Sequence, residues 1–246
     1  MLEALIEAFP TLALLAWEPP GWGATLMRGL GNSIQIALGA YAMGLLIGTL
    51  GAFGKLHGGP VTRDFLAIYT TVVRAVPELV LILILYFAVT DLVNQGIVAV
   101  GGTRVQISGV GAGIVVLGVV QGAYAVEVIR GAILAVPEGQ LEAARAMGMP
   151  PMKTALRITL PLMLSNAIPG LANLWLIATK DTALLAIVGF AELTLQTRQA
   201  ASSTKAFMTF FLAAGVLYLC ITLISGVIFG RVERWARKGQ RGGSGP

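Results

Sequence analysis

Long apolar segments separated by short polar stretches dominate the pattern along the chain. Each has about 18 or more residues, the length that crosses a bilayer as a helix. They run near Leu26–Leu50, Phe65–Thr90, Gly109–Leu134, Leu162–Gly189 and Phe207–Gly230. The pattern therefore predicts an all-α membrane protein with five transmembrane helices. Pro77 and Pro169 fall inside two of these segments and predict a kink in each.

One polar interruption, EAARAMGMPPMKTALRITLP over residues 142–161, has a fixed spacing of residue types. Its pattern, E-A-A-x3-G-x9-I-x-L-P, is formed by Glu142, Ala143, Ala144, Gly148, Ile158, Leu160 and Pro161. We expect a short helix over 138–147 that ends at Gly148, because a glycine commonly follows the last helical residue. A second short helix is expected over Met152–Thr159, before Pro161. Two such helices on the bilayer surface would make a lever for a cytoplasmic partner, whereas the alternative is a merely solvated connector.

Composition agrees with a chain that lies mostly in lipid. Only 12% of the 246 residues are charged, 56% are hydrophobic, and the mean hydropathy is +0.82. Soluble domains usually carry about 25% charged residues. The single cysteine, Cys220, lies inside the fifth apolar segment and excludes an internal disulfide framework.

The two ends of the chain differ from the apolar middle, residues 24–235, which we expect to form one transmembrane domain. Residues 1–23 predict an interfacial segment anchored by Trp17 and Trp22 at headgroup level. A secretion signal is disfavoured because Glu3 and Glu7 stand where a signal needs positive charge. Residues 236–246 predict a flexible basic tail, and its place directly after a span disfavours nucleic-acid binding.

The distribution of lysine and arginine predicts the orientation of the chain. With the basic tail in the cytoplasm, five spans place the N-terminus outside. Twelve of the 17 basic residues then lie inside: Lys55, Arg63, Arg74, Arg130, Arg145, Lys153, Arg157, Arg231, Arg234, Arg237, Lys238 and Arg241. The five outside are Arg28, Arg104, Lys180, Arg198 and Lys205. This asymmetry is the one that the positive-inside rule describes.

The loop pattern resembles the cytoplasmic signature of permease subunits from ATP-binding-cassette importers. Three further stretches are similar to permeases for polar amino acids of the histidine, lysine, arginine, ornithine or opine type: YTTVVRAVPELVL from Tyr69, GAYAVEVIRGAILAVPEGQLEAA from Gly122 and TKDTALLAIVGFAEL from Thr179. The resemblance covers about residues 20–235. It implies a type I importer permease in the bacterial inner membrane, with two ATPase subunits below and a periplasmic solute-binding protein above. It also implies a second permease, identical or, as we favour, an unlike sister chain.

The residues predict that the chemistry of ATP hydrolysis belongs to another chain. A phosphate-binding P-loop needs G-x-x-x-x-G-K-[ST], but Gly54-Lys55 is followed by Leu56 and preceded by Thr49 at the first glycine position. His57 is the sole histidine and has no neighbouring metal ligands. We therefore expect no catalytic residues, no metal site and no cofactor in this chain, with ATP and magnesium bound by the partner ATPase.

Ionisable groups inside a span are costly and mark either function or pairing. Glu78 follows Pro77 and lies roughly 20 Å into the second predicted span, near the bilayer midplane. We predict that Glu78 faces the translocation path and counters a cationic side chain of the cargo. The alternative is an internal ion pair with Arg74, four residues earlier on the same helix face.

Further polar residues in the third and fourth spans extend this candidate pathway. Gln121 and Tyr124 could line it, whereas Glu127 and Arg130 are expected to form a local salt bridge. In the fourth span, the candidates are Asn173, Lys180 and Asp181. Asn173 and Lys180 are seven apart and share a helix face. Asp181 would take the ammonium of a zwitterion and Lys180 its carboxylate; alternatively the two seal each other or contact the delivering protein.

These observations predict an ATP-driven importer of polar, and by Glu78 basic, amino acids that works by alternating access. An opine, or an acidic or neutral amino acid, is the alternative cargo for the same architecture. An ion-driven carrier that works alone would need no such cytoplasmic loop. A membrane scaffold would tolerate the loss of charge at Glu78 and Asp181.

Overall fold

All the regular secondary structure of the described residues, which are 10–104 and 109–236 of a computed structural model, is helical. The helices, in chain order, are α1 Gly23–His57, α2 Pro60–Ala75, α3 Glu78–Ala99, α4 Gly109–Leu134, α5 Glu138–Ala146, α6 Pro151–Thr154, α7 Leu160–Asp181, α8 Leu193–Thr204 and α9 Phe207–Ala236. Two 3-10 segments, Pro10–Leu15 and Thr182–Val188, and a π-helical turn, Ala155–Thr159, complete them. The predicted interfacial segment lies outside the described residues over 1–9, and the predicted tail over 237–246.

Five helical stretches are long and apolar enough to cross a membrane, as the sequence predicts. They are Gly23–His57, Glu78–Ala99, Gly109–Leu134, Pro151–Val188 and Phe207–Ala236. Because successive spans alternate in direction, α5, α6 and the α1–α2 turn lie at one end of the bundle. We call residues 137–161 the elbow and this end the elbow end.

Helix α4 lies at the centre of the bundle and packs along α1 in the same direction. Glycines on α1 allow this close approach. A β-carbon at Gly44 would lie 3.0 Å from the Gln121 β-carbon, and one at Gly48 only 2.4 Å from the Ala125 β-carbon. By contrast, α3 and α9 expose most of their apolar side chains. Because α1 packs so closely against α4, the register of these two helices fixes where the polar residues of α4 point.

The predicted second span, Phe65–Thr90, was wrong in one respect: it is two helices rather than one kinked helix. Helix α2 ends at Ala75, and α3 begins at Glu78. Proline disfavours the helical conformation of the residue before it, and Val76 is extended with a ψ of 140°. Glu78 consequently lies in the first turn of a helix, where the helix dipole favours a negative charge.

The first half of the elbow has the predicted form. Gly148 has a φ of +72°, the left-handed conformation that favours glycine. The Met149 N–H donates to the Ala144 carbonyl at 3.0 Å, and the Gly148 N–H donates to the Arg145 carbonyl at 2.9 Å. These two bonds form a Schellman motif, which ends α5 and turns the chain sharply.

The second half of the elbow differs from the prediction. We expected a separate short helix that ends before Pro161, but helical structure continues from Pro151 through the π-helical turn into α7. The Leu160 N–H donates to the Ala155 carbonyl, five residues back. Pro161 lies just after the π-helical turn, where the regular i to i−4 hydrogen-bond pattern is already interrupted. The elbow is therefore joined rigidly to a membrane-spanning helix.

Candidate functional site

A cluster of polar side chains lies between α3, α4 and the end of α7. The Tyr124 hydroxyl donates to a Glu78 carboxylate oxygen at 3.3 Å. The Gln121 amide nitrogen donates to an Asp181 carboxylate oxygen at 3.0 Å. The carboxyl groups of Glu78 and Asp181 also interact with each other. The structure thus brings together four of the residues predicted to line a substrate pathway, and we call them the polar cluster.

Gln121 is the most enclosed member of the polar cluster. Its side chain is 1% exposed because Gly44 lets α1 approach it closely. Its amide oxygen is buried and has no hydrogen-bond partner among the described residues. A buried acceptor without a donor is destabilising. An N–H donor of a bound molecule would satisfy it.

The other two predicted pathway residues do not join the polar cluster: Lys180 lies at its margin, and Asn173 lies outside it. The Lys180 and Asn173 side chains are both exposed on α7. The Lys180 ammonium interacts electrostatically with Asp181. Asn173 lies about 12 Å from Asp181 along the helix axis, given a rise of about 1.5 Å per residue.

The alternative role of Glu78, an ion pair with Arg74, does not occur in the structure. The break at Pro77 places the two residues on different helices. In the described part of the chain, their charged groups form no ion pair within 4.0 Å. The Arg74 side chain is exposed. The Glu78 carboxylate therefore faces the polar cluster without a directly bonded cation.

Glu127 belongs to a separate group of charges one turn nearer the elbow end. Its salt bridge to Arg130 is confirmed, with a nitrogen–oxygen distance of 2.9 Å. Its other oxygen lies 2.5 Å from the Lys55 ammonium, which also donates to the Thr70 hydroxyl at 2.7 Å. The lysine comes from α1, so no spacing along the chain could reveal it. These contacts tie α1, α2 and α4 together.

Glu192, which sequence analysis did not select, is the acidic residue best enclosed in the described chain at 0% exposure. It precedes α8, and its carboxylate accepts from the backbone N–H groups of Thr194 and Leu195. Burial raises the pKa of Glu192, and these hydrogen bonds oppose the rise. The available signal was an acidic residue directly before a helix start, between the end of an apolar segment and the polar stretch LTLQTRQAASST.

The predicted coupling residues occupy both halves of the elbow. Ala144 is buried, and Ile158 is half-buried. The exposed members of the set are Glu142, Ala143, Gly148, Leu160 and Pro161. Met147 and Met152 beside them are 82% and 71% exposed. The elbow thus presents a charged and apolar surface at one end of the bundle.

Comparisons with known proteins agree over nearly the whole chain. Residues 40–238 match the family described as binding-protein-dependent transport system inner membrane component. The chain is 38% identical to the nopaline transport system permease protein NocQ of Agrobacterium fabrum, over 94% of this chain and 98% of that protein. It is 35% identical to the histidine/lysine/arginine/ornithine transport system permease protein HisQ of Salmonella typhimurium, over 87% and 94%.

Solved structures with the same arrangement of helices include two transporters. One is an amino acid ABC transporter crystallised with histidines: the TM-score is 0.73 at 27% identity, over 87% of this chain and 94% of that one. The other is the MetNI methionine ABC transporter in an inward-facing conformation, with a TM-score of 0.71 at 22% identity, over 89% and 99%. The second likeness concerns the fold alone.

Proposed function

Since the chain belongs to the family of inner membrane components of binding-protein-dependent transport systems, we propose that this permease subunit moves a polar amino acid through the polar cluster. It is a multi-pass protein of the inner membrane with the fold of a type I importer permease. Transporters of this class work with a separate ATPase, a binding protein and a second permease.

The proposal for the cargo rests on the chemistry of the polar cluster. Two carboxylates, Glu78 and Asp181, and the unpaired oxygen of Gln121 are acceptors that a cation can satisfy. Lys180 lies at the margin, where it can receive a carboxylate. This arrangement suits a zwitterion with an additional cationic group. The relative that carries histidine, lysine, arginine and ornithine supports a basic amino acid.

A second cargo class is favoured by one specific observation. The similarity to the nopaline permease, at 38%, exceeds that to the histidine/lysine/arginine/ornithine permease, at 35%. An opine is therefore the alternative cargo of the same site. A glutamine permease of Escherichia coli, 32% identical, supports a neutral amino acid to a lesser degree.

The direction of energy transfer follows from the elbow. We propose that it faces the cytoplasm and docks on an ATPase through Glu142, Ala143 and Gly148, and that Ile158, Leu160 and Pro161 pass its movement to α7. Helical structure runs from Pro151 to Asp181 at the far end of α7, so movement of the second half of the elbow reaches the polar cluster along it. Alternating access of the cluster to the two sides of the membrane would follow.

Composition of the complex is a further part of the proposal. Two ATPase subunits bind ATP and magnesium, and an unlike sister permease completes the pathway. Gly54-Lys55, which resembles part of a P-loop, is not proposed to bind ATP. Lys55 lies within helix α1 and pairs with Glu127, so its ammonium is already engaged.

Removing the charge of Glu78 or Asp181 tests the cargo site. We expect Glu78→Gln and Asp181→Asn each to raise the half-saturating arginine concentration for uptake by about tenfold or more, because each removes a charged hydrogen bond worth about 1.5–3 kcal/mol. The measurement is arginine uptake by the assembled complex in proteoliposomes at a fixed concentration of its binding protein.

Asp91→Asn is the matched control, because Asp91 is an exposed carboxylate on the same helix as Glu78. It should leave uptake unchanged. If Glu78→Gln leaves the uptake of every basic amino acid at the wild-type level, Glu78 has a structural role and the cargo site lies elsewhere. Tolerance of both changes together would instead favour a scaffold subunit.

A further inference from the structure

The carboxylate of Glu192 is fully buried without a cation to balance it. It forms no ion pair with any lysine or arginine in residues 10–104 and 109–236. Four donors satisfy it instead. One oxygen accepts from the Leu195 N–H at 2.7 Å; the other accepts from the Thr194 N–H at 2.8 Å, the Tyr218 hydroxyl at 3.2 Å and the Ser33 hydroxyl at 3.3 Å.

Capping of α8 does not by itself explain a glutamate at this position. The residues that usually cap a helix N-terminus are asparagine, aspartate, serine and threonine, whose short side chains reach the first N–H groups. The longer glutamate caps α8 and also reaches two hydroxyls on other helices. Ser33 comes from α1 and Tyr218 from α9. Glu192 therefore joins three helices at one buried point.

The same network extends to Thr182, the residue beside the polar cluster. The Tyr218 hydroxyl interacts with Thr182, which is 0% exposed and directly follows Asp181. Thr182 in turn donates to the Thr179 carbonyl at 2.8 Å. On the α1 side, the Ser33 hydroxyl also accepts from the Leu193 N–H at 3.1 Å.

An adjacent contact strengthens the link between α1 and the segment that precedes α8. The Asn32 side-chain amide donates to the Ala191 carbonyl at 2.7 Å. Thr182–Val188 forms a 3-10 segment that begins directly after Asp181. Tyr218 interacts with the first residue of this segment, Thr182. Asn32 and Ser33 bind residues 191–193, which follow it. In this conformation the network therefore fixes the position of the segment that directly follows Asp181.

We propose that Glu192 is a positioning residue, which holds the end of α7 so that Asp181 stays opposite Gln121 and thereby sets the affinity of the pathway for its cargo. This inference rests on the proposed function of the polar cluster. Glu192 does not touch the cargo itself. Its effect passes through Tyr218 and Thr182 to the neighbouring aspartate.

Glu192→Asp separates capping from positioning. Aspartate keeps the negative charge and is a favoured cap, but its side chain is shorter by one methylene and loses Tyr218 and Ser33. We expect the half-saturating arginine concentration to rise about fivefold, the effect of about one hydrogen bond, while the maximal uptake rate stays within about twofold. Tyr218→Phe should raise the half-saturating concentration by the same factor. Because both changes break one network, the double variant should have a half-saturating concentration no higher than that of the more affected single variant.

A structural readout keeps this test independent of the cargo site. In the Glu192→Asp complex, backbone amides in residues 182–195 should exchange with deuterium faster than in the wild type. Tyr86→Phe is the matched control, since the Tyr86 ring packs against Phe190 at a centroid distance of 5.4 Å without belonging to the network. It should change neither exchange nor uptake.

Three results would overturn the inference. Wild-type half-saturation together with wild-type exchange in Glu192→Asp would mean that capping alone accounts for the residue. Faster exchange with unchanged half-saturation would mean that the network holds α8 without serving the cargo, and raised half-saturation with unchanged exchange would exclude positioning. Failure of the proposed cargo site looks different: Asp181→Asn would then transport with wild-type half-saturation, whatever Glu192→Asp does.

Discussion

Gly148→Asp is expected to reduce ATP-driven uptake more than tenfold while the chain still folds and inserts. Gly148 has a φ of +72°, and a β-carbon there would meet nothing within 4 Å. The left-handed conformation costs a non-glycine residue about 1–2 kcal/mol, and aspartate tolerates it better than most. We expect the larger effect to come from the proposed ATPase interface, because a charge buried without a counter-charge there costs about 2–5 kcal/mol. The measurements are ATP-driven uptake and the amount of ATPase that co-purifies with the complex.

Gly101→Asp is a close control for this prediction. Gly101 has a φ of +84° and open surroundings, but it lies between α3 and α4, at the end of the bundle opposite the elbow. The same residue change at a similar backbone angle should therefore leave both uptake and ATPase binding near the wild-type level. Equal losses in the two variants would mean that backbone strain, not docking, causes the defect.

The second large effect is expected at Gly48, where Gly48→Val should prevent normal packing of α1 against α4. A β-carbon would lie 2.4 Å from the Ala125 β-carbon and 2.9 Å from the Ala125 carbonyl carbon. Backbone atoms cannot move aside as the tip of a side chain can. We expect the free energy of unfolding to fall by about 3 kcal/mol. A change of that size lowers the melting temperature by roughly 10 °C in a chain of this length. A thermal-shift assay of the purified complex measures it.

Gly226→Val provides the comparison for Gly48→Val. Gly226 is on α9, also inside a predicted span, and a β-carbon there meets nothing within 4 Å. Its valine variant should melt within a few degrees of the wild type. A Gly48→Val complex with wild-type melting temperature and uptake would show that α1 and α4 are not packed as closely as described.

Much of the fold was predictable because the bilayer imposes strong local rules. Length and hydropathy alone define five spans, and Gly148 before two prolines predicts the end of α5. The break at Pro77 was harder to predict. The apolar run continues across it from Phe65 to Thr90, so hydropathy indicates one helix, and the non-helical conformations of Val76 and Pro77 separate α2 from α3.

The polar cluster was partly predictable for a related reason. Polar residues are rare in spans, so Glu78, Gln121 and Asp181 stand out in the sequence without any structure. Which of them meet depends on helix packing, which no spacing along the chain encodes. The alternative pairing of Arg74 with Glu78 does not form, because the helix breaks between them.

Glu192 shows a second limit of local reasoning. Its importance lies in partners 159 and 26 residues away, Ser33 and Tyr218. Lys55 and Glu127, 72 residues apart, form the same kind of long-range contact. Such residues do not stand out in the sequence, because the residue that each one contacts lies far away along the chain.

In this account, the helical bundle contains the pathway and a separate ATPase supplies the energy for uptake. Identifying the energy source is therefore the most direct test. Labelled arginine uptake would be measured in proteoliposomes that hold the assembled complex and its binding protein, with enclosed ATP, with a non-hydrolysable ATP analogue, or with a proton or sodium gradient alone. We predict accumulation with hydrolysable ATP only. Accumulation driven by an ion gradient in liposomes that hold this chain without the ATPase would contradict the account.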